Sequence, residues 1–249
     1  STDRTFGEIT SYRPVVIICA SVMQSVMPYI LISSALFDLG LALSCRNPGD
    51  RWISHGLSGA QKGKLLGVHN ALRNKVASGG ARGQPPAQNM REMVWDNTLA
   101  QIAQKWADLC VFEHDSHRKY PGRGDSFGQN LYISMSRGTA DDHNVTEVNW
   151  KVEDGAYSWY NEVRGYKYQA VTAGNFARAG HYTQEVWANT NRVGCGFTVF
   201  QSGGWKKRYL VCNYYQAGNM IGQFPYVSGS PNCGRYRMAA SRSYKSLCT

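Results

Sequence analysis

Two cysteines, Cys195 and Cys212, lie equally far from the dipeptide Gly203-Gly204, one on each side of it. Consecutive glycines favour a two-residue turn between antiparallel strands, because such turns require positive φ angles. A turn at this point places Cys195 opposite Cys212 in a non-hydrogen-bonded pair, with Cα atoms about 4.5 Å apart. That spacing is near the short limit for a disulfide. The sequence therefore predicts a hairpin whose register is closed by a covalent bond.

The first 44 residues have the layout of a secretory leader. Residues 14–37 contain no charged side chain, and Ala42-Leu43-Ser44 provides small residues for cleavage before Cys45. An uncleaved signal anchor is the alternative, because the apolar run is long enough to span a bilayer. Pro28 and the small-residue site favour cleavage. We therefore expect a secreted, extracellular protein, with membrane attachment only if the leader is retained.

The cysteine count agrees with export. Of the 7 cysteines, Cys19 lies inside the predicted leader. Its removal leaves an even set, which is typical of disulfides in an exported protein. The remaining cysteines are Cys45, Cys110, Cys195, Cys212, Cys233 and Cys248. The sequon at Asn144 predicts N-glycosylation of such a protein.

The chain carries 27 basic and 17 acidic residues, a net charge of +10 at pH 7. A basic surface favours anionic partners such as phospholipid head groups, sulfated glycans and acidic proteins. No run of five Lys or Arg residues occurs, and no nucleic-acid-binding module is recognisable. We therefore expect no nucleic-acid partner.

Three stretches have apolar residues at helical spacing. Ser58 and Gln61 form a capping box before a stripe that extends to Val76. Asp96 is placed to cap a second helix. A third stripe covers residues 145–163 in steps of three and four. The sequence thus predicts three helices before the hairpin, which makes the fold a mixture of helices and sheet.

Several motifs follow one another in a fixed order. They are His69-Asn70, Trp95-Asp96, Gly128-Gln129-Asn130, Gly180-His181-Tyr182-Thr183-Gln184-Glu185-Val186-Trp187, Gly194-Cys195-Gly196, Tyr209-Leu210-Val211-Cys212-Asn213-Tyr214 and Ala217-Gly218-Asn219. Together they resemble the CAP superfamily, which comprises cysteine-rich secretory proteins, antigen 5 and plant pathogenesis-related proteins of group 1. The upstream motifs are most similar to arthropod antigen 5 proteins of venom and saliva.

The resemblance implies an α+β fold, a three-layer α-β-α sandwich of CAP type with a short antiparallel sheet between helices. We divide the chain into a leader at 1–44, an N-terminal segment at 45–59, a CAP domain at 60–222 and a disulfide-closed extension at 223–249. The antigen 5 pattern implies a disulfide between Cys45 and Cys110. In the extension, Cys233 is expected to pair with Cys248.

CAP proteins gather two His and two acidic residues in a central cleft, where the His pair can hold a divalent metal. The resemblance places His114, His181 and Glu162 in this cleft. Gln129 takes the fourth position, where many relatives have Glu, so one negative charge and one potential general base are lost. Two neutral imidazoles and a carboxylate can ligate Zn²⁺. The resemblance implies weak zinc binding and no required cofactor, and the alternative is that each His only forms hydrogen bonds.

Glu185 departs from the family, which usually has an apolar residue at this position. It follows His181 by one helical turn, so the two side chains are neighbours on a helix. Two roles are compatible with this placement. Glu185 completes the metal site, or it pairs with a charge on the surface.

The tripeptide Arg123-Gly124-Asp125 is the sequence that integrins bind, with Asp completing a metal site and Arg reaching an acidic pocket. It follows Pro121-Gly122, which predicts an exposed loop. Some blood-feeding arthropods use antigen 5 relatives bearing this tripeptide against platelets. The alternative is the chance occurrence of a short motif.

The resemblance predicts a protein that acts by binding and is not an enzyme. The first hypothesis is a carrier of small hydrophobic ligands, sterols or lipid mediators, because family members have apolar channels between helices, here with residues 84–90 as a candidate rim. The second is an integrin-binding effector that uses Arg123, Gly124 and Asp125. The third is a metal-dependent hydrolase that uses the cleft. It is the weakest, because the sequence contains no Gly-x-Ser-x-Gly or comparable nucleophile motif.

Overall fold

The computed structural model describes residues 45–137 and 151–249, so the predicted leader and Asn144 lie outside the described residues. In chain order the elements are β1 Arg51–His55, α1 Gly59–Ala77, β2 Val94–Trp95, α2 Asn97–Ala107, β3 Gly128–Arg137, α3 Asp154–Asn161, α4 Ala173–Glu185, β4 Arg192–Ser202 and β5 Trp205–Tyr215. Two 3₁₀ turns cover Glu162–Gly165 and Cys233–Tyr236. Within 45–137 and 151–249, no helix combines the length and the apolar character needed to cross a bilayer.

The hairpin prediction is confirmed. Ser202 pairs with Trp205, and Cys195 pairs with Cys212 along the antiparallel strands β4 and β5. The two turn glycines have φ angles of 56° and 79°, the positive values that such a turn requires. The disulfide joins Cα atoms 4.1 Å apart. The hairpin is the centre of a sheet in the order β1-β4-β5-β3, to which β2 adds a short parallel pairing with β4.

Strand β4 separates the two helical layers. Cys195 and Phe197 face a core shared with Leu65 of α1 and Trp159 of α3. The glycines beside Cys195 face α2 on the other side of the sheet. A β-carbon on Gly196 would lie 2.3 Å from backbone atoms of Gln104, so only glycine permits this approach. Helix α2 therefore forms one layer and α1, α3 and α4 the other, which is the α-β-α sandwich that the resemblance implies.

Local signals place the first two helices correctly. Ser58 and Gln61 form the reciprocal capping box at the start of α1. The carboxylate of Asp96 accepts a hydrogen bond from the backbone N–H of Leu99 at the start of α2. The first part of the third stripe, residues 145–150, lies outside the described residues. In the remaining part, α3 begins at Asp154 and changes to a 3₁₀ turn at Glu162.

The structure has three disulfides in the predicted pairing, Cys45–Cys110, Cys195–Cys212 and Cys233–Cys248. The extension that contains the last of them covers residues 84–90. Backbone N–H groups of Gly229 and Cys248 donate to the carbonyls of Pro86 and Met90 at 2.9 and 2.8 Å. Ala87 and Met90 are fully buried. The extension therefore packs over part of the segment that was expected to form the rim of an apolar channel.

Arg73 of α1 holds the chain after α4 against the rest of the domain through hydrogen bonds. Its guanidinium is fully buried. It donates hydrogen bonds of 2.6 to 3.3 Å to the backbone carbonyls of Arg91, Glu185, Trp187, Ala188 and Thr190. Burial lowers the pKa of Arg73 to about 9, so the side chain remains a cation at neutral pH. Buried carbonyls need hydrogen-bond partners, and Arg73 supplies one to each of these five.

We expect the same Gly→Ala change to have opposite effects at two positions. Gly196→Ala should destabilise the fold by about 2 kcal/mol or more, because the added methyl group overlaps the backbone of α2. Gly63→Ala should stabilise it by about 0.5–1 kcal/mol, because Gly63 lies inside α1 with nothing within 4 Å of the new carbon. Urea unfolding of both variants tests this, and equal stabilities would contradict the close packing of α2 on β4.

Candidate functional site

The structure brings the four predicted cleft residues together. His114, Gln129, Glu162 and His181 line one cavity of about 190 Å³. His114 comes from the loop after α2 and Gln129 from β3. Glu162 begins the 3₁₀ turn after α3, and His181 lies in α4. The cleft is thus assembled from four separate segments of the chain.

Both imidazoles are held through Nδ1. The Nδ1 atom of His181 lies 2.7 Å from Oε1 of Glu162, and that of His114 lies 2.9 Å from Oε1 of Gln129. The backbone N–H of Asp115 donates to the same Gln129 oxygen, which identifies it as the acceptor. Because each oxygen only accepts, each Nδ1 carries a proton, and in the neutral form of each ring the lone pair is on Nε2. Metal-binding histidines are commonly oriented by contacts of this kind.

Glu162 is committed to positioning α4. Its Oε2 accepts hydrogen bonds from the backbone N–H groups of His181 and Tyr182 at 3.0 and 3.1 Å. Helix α4 is kinked at Ala179, whose φ of −143° is not helical, so these N–H groups begin a new helical segment. The carboxylate therefore caps that segment and orients the His181 ring at the same time.

The two imidazoles that line the cavity are the groups of the cleft that could hold a metal ion. Burial lowers the pKa of His114, so its ring is neutral at physiological pH and its Nε2 can bind a metal. Among residues 45–137 and 151–249, no group of three or more His, Cys, Asp and Glu side chains could hold an ion. Solvent or an exogenous ligand would have to complete the coordination of zinc, which implies weak binding.

Glu185 has neither of the two roles that the sequence left open. Its side chain is fully buried, so it pairs with no surface charge. It faces α1, where its Oε1 lies 3.9 Å from Nε2 of His69, and it belongs to no metal-holding group of the described residues. Neither carboxylate oxygen has a hydrogen-bond partner within the described part of the chain. The cause is the packing of α4 on α1, which points this position at His69 and Arg73.

The buried pair is electrically neutral at mildly acidic pH. Burial raises the pKa of Glu185 well above its ordinary value, an effect that the positive charge of Arg73 reduces. Burial lowers the pKa of His69 to about 4. The Nδ1 of His69 donates to the carbonyl of Leu65, and its Nε2 accepts from the hydroxyl of Tyr214 at 2.9 Å. Proton exchange at this site is therefore coupled to folding.

Glu185→Gln should stabilise the protein increasingly as the pH rises. The unfolded wild type releases the Glu185 proton above about pH 4.3, whereas the folded protein retains it. The free energy of unfolding that this proton contributes is fully present below about pH 4.3. Above that pH the wild type loses about 1.4 kcal/mol of stability per pH unit, until the pH reaches the pKa of Glu185 in the folded protein. Urea unfolding of the wild type and of Glu185→Gln at several pH values measures this trend. The control is Glu113→Gln, which alters an exposed carboxylate. A difference from wild type that is constant with pH would contradict the assignment.

The Arg123-Gly124-Asp125 loop is exposed, as predicted. Its two charged side chains meet at Tyr215. The hydroxyl of Tyr215 donates to Oδ2 of Asp125 at 2.9 Å, and the guanidinium of Arg123 lies 5.5 Å from the centre of the Tyr215 ring. Both groups must leave Tyr215 before they can reach two separate sites on a partner.

A further surface was not anticipated from the sequence. Two neighbouring cavities of about 530 and 320 Å³ share Trp187, Asn189 and Gln223. Exposed apolar side chains occur in the segment that borders them, namely Met220, Ile221, Phe224 and Val227. We call these four residues, together with Trp187, the Trp187 face. The only sequence signal was the cluster of apolar residues in an otherwise polar tail.

A disulfide-closed α-β-α sandwich with a two-histidine cleft defines the class of protein. The chain matches the CAP, or Cysteine-rich secretory protein, family over residues 66–214. It therefore belongs to this family, as the motifs suggested.

The relatives are insect proteins of saliva and venom. The chain is 37% identical over 210 residues to the salivary antigen-5 of Dipetalogaster maximus, a match that covers 83% of this chain and 82% of that protein. It is 40% identical over 188 residues to venom allergen 5.02 of Dolichovespula maculata, covering 71% and 81%. A solved structure of NaASP2 with Zn²⁺ is 29% identical with a TM-score of 0.60, covering 83% of this chain and 100% of that one.

Proposed function

We propose that the protein is an extracellular binding protein whose Trp187 face takes up a small apolar ligand of the sterol class. Three disulfides and relatives named for saliva and venom support an extracellular location. The observation that carries the ligand proposal is the concentration of exposed apolar side chains beside two connected cavities.

The size of the cavities and the apolar side chains beside them favour such a ligand. Sites for small molecules have volumes of about 300–1,000 Å³ and are largely apolar, with a few polar groups that fix orientation. Covering exposed apolar surface stabilises a complex by about 25 cal/mol per Å². Phe224 and Met220 supply that surface, with Trp187 on the floor of both cavities.

The polar groups beside the larger cavity select the head of the ligand. Asp125 and Ser126 line it together with Gln216 and Gln223. The negative charge of Asp125 opposes a carboxylate head group, whereas a hydroxyl can donate to it. A neutral apolar molecule with a hydroxyl group, as in a sterol, therefore fits better than a fatty acid.

Removing the apolar side chains should abolish sterol uptake. In the double variant Met220→Ser, Phe224→Ser we expect affinity for a fluorescent sterol to fall at least about tenfold, because two apolar contacts are lost. The matched control is Met135→Ser, Phe112→Ser. These residues are 57% and 52% exposed, against 44% and 51% for Met220 and Phe224.

The outcome is measured by fluorescence titration and by mass spectrometry of ligands extracted from the secreted protein. Equal affinity in the two double variants would place the ligand elsewhere. A preference for a fluorescent fatty acid over the sterol would contradict the role assigned to Asp125.

Weak zinc binding in the cleft is a second candidate function. The two Nε2 lone pairs of His114 and His181 support it. When bound, zinc would supply a Lewis acid that polarises a coordinated water. Glu162 orients His181, and Gln129 orients His114. Neither is a free general base for that water, because the Glu162 carboxylate already accepts three hydrogen bonds and Gln129 is an amide. This arrangement supports binding without hydrolysis.

His181→Ala should lower zinc affinity at least about tenfold, because one of two protein ligands is lost. His117→Ala, which removes an exposed imidazole that does not line the cavity, should leave the affinity unchanged. In the wild type the affinity should fall as the pH is lowered, since metal binding needs neutral imidazoles. Calorimetry measures the zinc affinity of the wild type and of both variants. Equal affinities in the two variants would place the metal outside the cleft.

The integrin and hydrolase alternatives have less support. Exposure of the loop favours integrin binding, but the carboxylate of Asp125 and the guanidinium of Arg123 are both engaged by Tyr215. The hydrolase alternative lacks a free base in the cleft. We therefore rank both below ligand binding at the Trp187 face.

A further inference from the structure

A fourth hollow, of about 560 Å³, lies between the end of α1 and the end of α3. Lys75 of α1, Arg82 in the loop after it and Arg164 in the 3₁₀ turn after α3 line this hollow. Tyr160 and Tyr166 are largely buried and form part of its wall. It shares no lining residue with the His114–His181 cleft or with the two cavities of the Trp187 face.

The residues that line this hollow carry a net positive charge. No acidic residue lines it. Within residues 45–137 and 151–249, none of the three cations has a carboxylate oxygen within 4.0 Å. Lys75 rests 5.6 Å from the centre of the Tyr160 ring. Glu162 is close in sequence to Arg164, but its carboxylate is occupied by His181 and Tyr182.

We propose that this hollow binds a small ligand that carries two or more phosphate or sulfate groups. Three like charges at one concave site raise the local concentration of anions. The guanidinium groups of Arg82 and Arg164 can each form a paired set of hydrogen bonds with a tetrahedral oxyanion, and Lys75 adds a third charge. A single monovalent anion would leave most of this charge unpaired, so the site favours a polyvalent ligand.

Inorganic triphosphate is the probe that tests the site directly. We expect calorimetry to detect binding that weakens as sodium chloride is added, because salt screens the interaction. Arg82→Ala, Arg164→Ala should reduce the affinity at least about tenfold, since each charged hydrogen bond contributes strongly. The matched control is Arg235→Ala, Arg242→Ala, which removes the same charge from exposed positions in the extension.

Two further arms identify the source of the anion. A nucleoside triphosphate and a sulfated disaccharide are titrated under the same conditions. The probe that binds with the higher affinity identifies the ligand class. Equal loss of triphosphate binding in both double variants would show attraction to the overall charge and overturn the proposal. Failure of all three probes to bind the wild type would also overturn it. Because the substituted side chains are exposed, unchanged melting temperatures should accompany either result.

Discussion

One buried cation, Arg73, holds in place the chain on which both candidate sites depend. Its hydrogen bonds to the carbonyls of residues 185–190 fix the end of α4 and the loop that follows. That helix carries His181, and that loop carries Trp187. A lysine could not replace it, because three donors on one nitrogen cannot reach carbonyls spread over this length of chain. Glu185 lies beside it, where burial raises the pKa of its carboxyl group, while the charge of Arg73 is satisfied by backbone oxygens.

The cleft and the Trp187 face use the same helix in different ways. The kink at Ala179 exposes backbone N–H groups to Glu162, and this carboxylate then orients His181. Beyond the end of α4, Trp187 forms the floor of two cavities. The polar groups of the cleft therefore lie on one side of this helix, whereas the apolar surface lies beyond its end. The cleft and the two cavities of the Trp187 face share no lining residue, so the metal and the apolar ligand that we propose would occupy separate sites.

Local patterns in the sequence predicted much of the fold. The equal spacing of Cys195 and Cys212 about the glycine turn determines the register, because an antiparallel hairpin allows no other pairing once the turn is placed. Family motifs predicted which side chains share the cleft. The burial of Glu185 could not be read in this way, since a helical repeat shows which residues are neighbours but not what packs on them. The covering of residues 84–90 by the extension and the Trp187 face likewise depend on contacts between distant parts of the chain.

The central claim is that an apolar ligand occupies the Trp187 face, and a photoactivatable sterol tests it most directly. After irradiation and proteolysis, mass spectrometry identifies the labelled residues. The account predicts labels on Met220, Phe224 and Trp187 that disappear when unlabelled sterol is present in excess. Competable labels confined to peptides of α1 and α4, with none in residues 217–227, would contradict it.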